Sequence, residues 1–166
     1  MRCTISFLLA LLMVGSLEGQ GPQTIPCDVT SPNGSGSVGP DASPLVFGNG
    51  ALTVSLGWPD GTIVFKPRGP GFVLKDGSLS MKVGWWRAVP GALTIDGRRL
   101  DAPALPLQAR IPCCYGDRGF QATALIFPAP GCWEVTGHVG DASLTFVTRV
   151  VKIGSGPVSE KDPANN

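Results

Sequence analysis

Alternation with a period of two runs through most of the chain. Between residues 132 and 139 the set Trp133, Val135, Gly137 and Val139 alternates with Cys132, Glu134, Thr136 and His138. Successive side chains of a strand point to opposite faces, so the first set predicts a core face and the second an outer face. Gly140-Asp141 carries turn chemistry. The chain then returns with Leu144, Phe146, Thr148 and Val150 on one side, and Thr145, Val147, Arg149 and Val151 on the other. β-Branched residues, which strands favour, dominate both arms. The spacing predicts an antiparallel hairpin over 131–153. Pro128 and Pro130 precede it and mark a corner, because neither can donate a ladder hydrogen bond.

The same period recurs upstream. Residues 51–58 place Leu52, Val54, Leu56 and Trp58 on one face, and Pro59-Asp60-Gly61 predicts a hairpin turn into a returning strand with Ile63 and Phe65. A short strand over 72–74 ends at Asp76-Gly77, and a longer one over 79–89 carries Trp85 and Trp86. Leu93 and Ile95 alternate up to Asp96-Gly97, which reads as a further turn. Leu107, Ala109 and Ile111 predict a half-buried strand, and Phe120, Ala122, Ala124 and Ile126 predict another that leads into the corner. No segment holds a helical period, and there is no solenoid repeat. Roughly seven to nine strands at this turn spacing predict an all-β sandwich.

Composition agrees with that reading. With 23 Gly and 16 Pro against only 15% charged residues, the chain is built for short strands and tight turns. Arg2, the apolar run over 5–14 and the small residues that follow predict a secretory signal over 1–19. Its apolar run is too short to span a bilayer comfortably. Residues 20–44 are rich in Gly, Ser and Pro and predict an extended or partly disordered arm. The domain is expected over 45–154, with a frayed tail over 155–166. Asn33-Gly34-Ser35 is a formal glycosylation sequon. Thirteen basic against twelve acidic residues leave no basic stripe for nucleic acid and no polybasic segment for anionic lipid. The expected location is extracytoplasmic, with no stable membrane span after signal cleavage.

That location gives the cysteines meaning. Cys3 leaves with the signal, and the remaining four, Cys27, Cys113, Cys114 and Cys132, allow three pairings in an oxidising compartment. The expected bridge joins Cys27 to Cys132, where the arm can lie across the outer face of the hairpin. It would contribute roughly 4 kcal/mol in the chain-entropy model. Cys113 and Cys114 are then either two free thiols or a strained vicinal disulfide. A bridge from Cys27 to Cys113 or Cys114 is the alternative.

Candidate chemistry is sparse. Cys132, Glu134 and His138 share a strand face and are all metal-ligand types, but Cys132 and His138 lie about 20 Å apart along an extended strand. The aspartates at 60, 76, 96, 101, 117 and 141 sit mostly beside Gly, where turn chemistry explains them. No nucleophile elbow, zinc-protease motif or phosphate-binding loop is present. Serine-type catalysis would have to use His138 as base, and the sequence places no Ser near it. No cofactor is implied. Trp85 and Trp86 are adjacent, so one faces in and one faces out. With Arg87 they predict a binding surface able to stack on a sugar ring or a peptide.

Two resemblances sharpen the expectation. The approach GCWEV (131–135) resembles the corner into strand F of immunoglobulin-like sandwiches. Trp133 stands where that fold has its corner Tyr, and Val135 where it has the second core Cys, so the usual inter-sheet disulfide is absent. The run over 49–153, with WPDGT, GPGFVLKDGSLSMK, LTIDGRRLDAPA, GFQATALIFP and GCWEVTGHVGDASLTFVTRV, resembles a family of small secreted bacterial proteins without an assigned function. That resemblance implies an immunoglobulin-like fold and a bacterial origin, and it carries no catalytic residues with it. The expectation is a secreted, non-enzymatic module that binds a protein or a cell-envelope glycan, or serves structurally. The alternative is an extracytoplasmic redox or metal protein, or a hydrolase, using the Cys113-Cys114 loop or the turn carboxylates.

Overall fold

The computed structural model describes residues 26–35, 44–58 and 60–158. The expected signal, the remainder of the arm and residues 159–166 lie outside the described residues. Among the described residues there is no helix, and so none long and apolar enough to cross a membrane.

Among the described residues ten strands form, one more than the upper end of the expected range. They are β1 (Val46–Gly48), β2 (Leu52–Ser55), β3 (Thr62–Phe65), β4 (Phe72–Val73), β5 (Leu79–Arg87), β6 (Thr94–Arg99), β7 (Gln108–Arg110), β8 (Gly119–Phe127), β9 (Gly131–Val139) and β10 (Ala142–Lys152). A six-stranded sheet has the order β1-β2-β5-β8-β7, with β4 added beside β5. A four-stranded sheet has the order β3-β10-β9-β6. The two pack face to face as a β-sandwich.

The β9–β10 hairpin folds as its pattern requires. Val139 pairs with Ala142 across the two-residue turn, and the register continues to Gly131 opposite Val150. Trp133, Val135, Gly137 and Val139 are buried, as are Leu144, Phe146, Thr148 and Val150 on the returning strand. Trp133 Nε1 donates to the carbonyl of Ala129, 3.0 Å away, so the corner residue holds the backbone that leads into its own strand.

Two turn assignments are corrected. Asp60-Gly61 does turn the chain, and Asp60 Oδ1 accepts from Thr62 N at 3.1 Å. The turn does not make a hairpin, however. β2 stays in the six-stranded sheet, whereas β3 crosses over and pairs in parallel with β10. A two-sheet protein must change sheets somewhere, and local turn chemistry does not reveal which partner the next strand will find. The second correction concerns Asp96-Gly97, which lies inside β6 and not in a turn. A Cβ at Gly97 would come 2.7 Å from the carbonyl oxygen of Glu134 and 3.2 Å from Cβ of Leu107. The glycine serves a close approach of neighbouring chain, the other meaning of Gly in a strand.

The core lies between the sheets. Leu79, Met81, Val83 and Trp85 point inward from β5, and Leu125 and Phe127 from β8. Phe127 meets Trp133 edge-on at 5.7 Å between centroids, and Trp85 meets Phe146 at 6.1 Å. Trp85 also fills the space over Gly137, where an added Cβ would come within 2.6 Å of its ring. A tryptophan knob against a glycine hole thus occupies part of the space between the sheets. Burial at close packing is the main stabilising term for a core of this kind.

The arm is ordered where it is described. Cys27 is bonded to Cys132 with an S–S distance of 2.01 Å. Thr30 then exchanges hydrogen bonds with Val147 on β10. Farther on, Asn33 N donates to Val46 O, and the Asn33 amide donates to Gly48 O at 2.9 Å while accepting from Gly48 N at 3.1 Å. The arm therefore runs from the four-stranded sheet to the β1 edge of the six-stranded one. Both ends of the Asn33 amide are engaged with backbone.

Candidate binding surface and dithiol loop

On the outer side of the six-stranded sheet, β5 presents Lys82, Gly84 and Trp86, and β8 presents Phe120, Ala122 and Ala124. The alternating apolar set of β8 thus faces outward, while Gln121, Thr123, Leu125 and Phe127 face in. Trp86 stands directly opposite Phe120, and Gly84 opposite Ala122. Phe120 is 54% exposed and lies over Gly84, where an added Cβ would come 2.8 Å from the ring. Tyr115 meets Phe120 edge-on at 6.3 Å. Phe120 thus covers Gly84, with Tyr115 and Trp86 beside it, and Ala124 lies between Lys82 and Arg110.

The expected Trp85, Trp86 and Arg87 surface is corrected by this arrangement. Trp85 is core. Arg87 is buried too, because odd positions of β5 face inward. Its Nη1 donates to Gly91 O at 2.6 Å and its Nη2 to Gly116 O. Only Trp86, half-buried, remains on the outer face. Phe120 and Tyr115 were not singled out from the sequence. The available signal was Gly84: a glycine within a strand marks a spot that something else must cover.

Arg87 positions the segment between β7 and β8. Residues 112–118 are fixed at three carbonyls: Pro112 O by Gln121 Nε2 at 3.2 Å, Gly116 O by Arg87, and Asp117 O by Gly91 N at 3.1 Å. Between these points project Cys113 and Cys114, both free and exposed, with their sulfurs 2.6 Å apart. Cys114 has a φ of 73°, in the left-handed region. Its contact with Cys113 raises its pKa above the ordinary thiol value.

The other outer face holds the second group of candidates and satisfies them internally. Cys132 is used in the disulfide. Glu134 pairs with Arg98 at 2.8 Å. His138 Nε2 lies 2.9 Å from Asp96 Oδ2. Among the described residues no group of three or more His, Cys, Asp and Glu side chains is placed to hold a metal ion. The hairpin register does bring Ser143 opposite His138, so Asp96, His138 and Ser143 cross three adjacent strands. The N–H groups of a sheet lie in its plane, so they aim no oxyanion donors above that row.

The turn carboxylates behave as turn residues. Asp76 accepts from the Ser78 hydroxyl at 2.6 Å and from Ser78 N at 3.0 Å, which lowers its pKa. Asp101 is held below the usual carboxylate range first by its bond from Arg99, with Nε 2.6 Å from Oδ1. No family model, no curated protein and no solved structure matches the chain.

Proposed function

We propose that this chain is an extracytoplasmic, non-enzymatic, immunoglobulin-like module that binds a cell-envelope glycan on the outer face of its six-stranded sheet. Strand order supports the immunoglobulin-like part. In sequence order β2, β5, β6, β7, β8, β9 and β10 take the places of strands A to G. The orders β2-β5-β8-β7 and β10-β9-β6 then match A-B-E-D and G-F-C. The Trp133 bond to the Ala129 carbonyl plays the part of the corner tyrosine. The Cys27–Cys132 disulfide suits an oxidising compartment. These features also fit a family of small secreted bacterial proteins.

The single observation that carries the binding reading is the exposed pair Phe120 and Tyr115, with half-buried Trp86 opposite Phe120 on the next strand. Aromatic faces offer a broad apolar contact at low entropic cost, and an exposed group of them on a soluble surface marks an interaction site.

The test is retention of the secreted protein on purified cell-wall glycan, with Trp86→Ala and Phe120→Ala as variants. Wild type is retained, and each variant is lost to the unbound fraction with its thermal unfolding nearly unchanged. Equal retention of wild type and variants would sink the surface assignment. Failure of wild type to bind glycan, with aromatic-dependent capture of a protein instead, would transfer the site to a protein ligand.

A further inference from the structure

Cys113 and Cys114 play no part in the aromatic surface, yet the fold holds them in a defined way. Exposure makes both sulfurs accessible to a disulfide, as exchange requires. The bonds to the carbonyls of Pro112, Gly116 and Asp117 fix the segment on either side of them. The two sulfurs therefore lie side by side on an anchored segment. The other cysteine pair differs on each count: Cys132 is only 2% exposed, and its bond to Cys27 closes a separation of 105 residues.

We propose that Cys113 and Cys114 form a thiol–disulfide exchange site that reduces a small-molecule disulfide and becomes a vicinal disulfide in doing so. The thiolate of either cysteine, Cys113 for instance, attacks one sulfur of the substrate R′S–SR′. That S–S bond breaks, R′S⁻ leaves and takes a proton from water, and a mixed disulfide remains on Cys113. Cys114 then gives its proton to water, and its sulfur attacks Sγ of Cys113. The mixed disulfide breaks and the second R′S⁻ leaves and is protonated. The protein dithiol has lost two electrons and two protons, and the substrate has become two thiols.

Either cysteine can attack first and the other resolve, because either sulfur can be the donor in the contact they share. The chemistry of neighbouring residues also makes the product labile. Adjacent Cα atoms are about 3.8 Å apart across a trans peptide, below the range of roughly 4.4–6.8 Å found in ordinary disulfides. Strained, exposed disulfides have the higher reduction potentials, so the vicinal bond forms where the small-molecule disulfide is in excess and reverts as the thiol accumulates. The site is thus a reversible couple, whereas Cys27–Cys132 is a permanent fastening.

The experiment uses the full secreted chain, treated with mild reductant under native conditions and desalted. Oxidised glutathione is the probe, and peptide mass mapping follows an acid quench. In wild type the peptide carrying Cys113 and Cys114 loses two hydrogens and keeps no glutathione. The Cys114→Ser variant stops at a glutathione adduct on Cys113. The Cys113→Ser variant likewise stops at a glutathione adduct, on Cys114. Dithiothreitol restores the wild-type dithiol while the Cys27–Cys132 peptide stays oxidised. A persistent glutathione adduct on wild type, covalent dimers, or no reaction would each overturn the proposal, and these three readings need no variant to fold.

Discussion

The two outer faces of the sandwich solve the same problem in opposite ways. On the four-stranded sheet, polar side chains find each other across strands: Arg98 with Glu134, Asp96 with His138, and the Thr136 hydroxyl with that of Thr145 at 2.9 Å. Cys132 is closed by Cys27. On the six-stranded sheet, the central positions are Gly84, Ala122 and Ala124, and Phe120, Trp86 and Tyr115 stand toward one end with Lys82 and Arg110 toward the other. Residue types usually associated with chemistry are therefore internally satisfied, whereas those usually associated with a core stand in the open. Function is better sought where a surface is left without partners of its own.

Adjacent tryptophans make that contrast measurable. Trp85→Ala removes the ring that packs on Gly137 and Phe146, and truncations of this kind cost about 3–5 kcal/mol. Trp86→Ala removes only an outer-face cross-strand neighbour of Phe120, worth about 0.2–1 kcal/mol. Denaturant unfolding of the two variants should differ by several-fold in lost stability. Similar losses would mean that Trp86 is a structural residue and that the outer face is no free surface.

The disulfide comes next in size. The Cys27→Ser, Cys132→Ser double variant should lose about 2–4 kcal/mol, since the bridge restrains a long loop in the unfolded chain. It should leave glycan retention unchanged, because the bridge belongs to the opposite face. Loss of retention without a matching loss of stability would show that the two faces are coupled.

Much of this was legible before any coordinates. The β9–β10 hairpin, its inward set and its turn follow from period-two alternation, because both strands have one face in the core. The Cys27–Cys132 pairing followed from the outward direction of Cys132 and the presence of an arm able to cover it. Other features depended on tertiary placement. Asp96-Gly97 looks like a turn because its residue types match one, yet Gly97 answers to Glu134 and Leu107, which are remote in sequence. Likewise β3 pairs with β10, nearly ninety positions later, which no local pattern encodes. At the site, the inward and outward split of Trp85 and Trp86 was predictable. The same parity places Arg87 inside, where an arginine is seldom expected. Phe120 looked like a core position because apolar alternation does not say which face is buried when both strand faces carry apolar residues.

The smallest effect lies at the entry to β9, on the polar side of the comparison. Asp101 accepts from Arg99 and from the backbone N–H of Cys132, and these contacts outweigh the slight desolvation that acts the other way. Its carboxyl therefore ionises more easily in the folded chain than in the unfolded one, whose value is about 3.9. A depressed folded value contributes stability above the unfolded pKa, and that contribution is lost as pH falls through the folded value. Asp101→Asn should accordingly lower stability at neutral pH, by well under about 1 kcal/mol given the exposure of the pair. The gap between wild type and variant should narrow below about pH 4. Unfolding midpoints for the two proteins across the acid range give the comparison directly. A gap of constant size would mean that the carboxylate charge is not what Arg99 and the Cys132 amide stabilise. The polar face would then owe its order to hydrogen-bond geometry that a neutral amide does not reproduce.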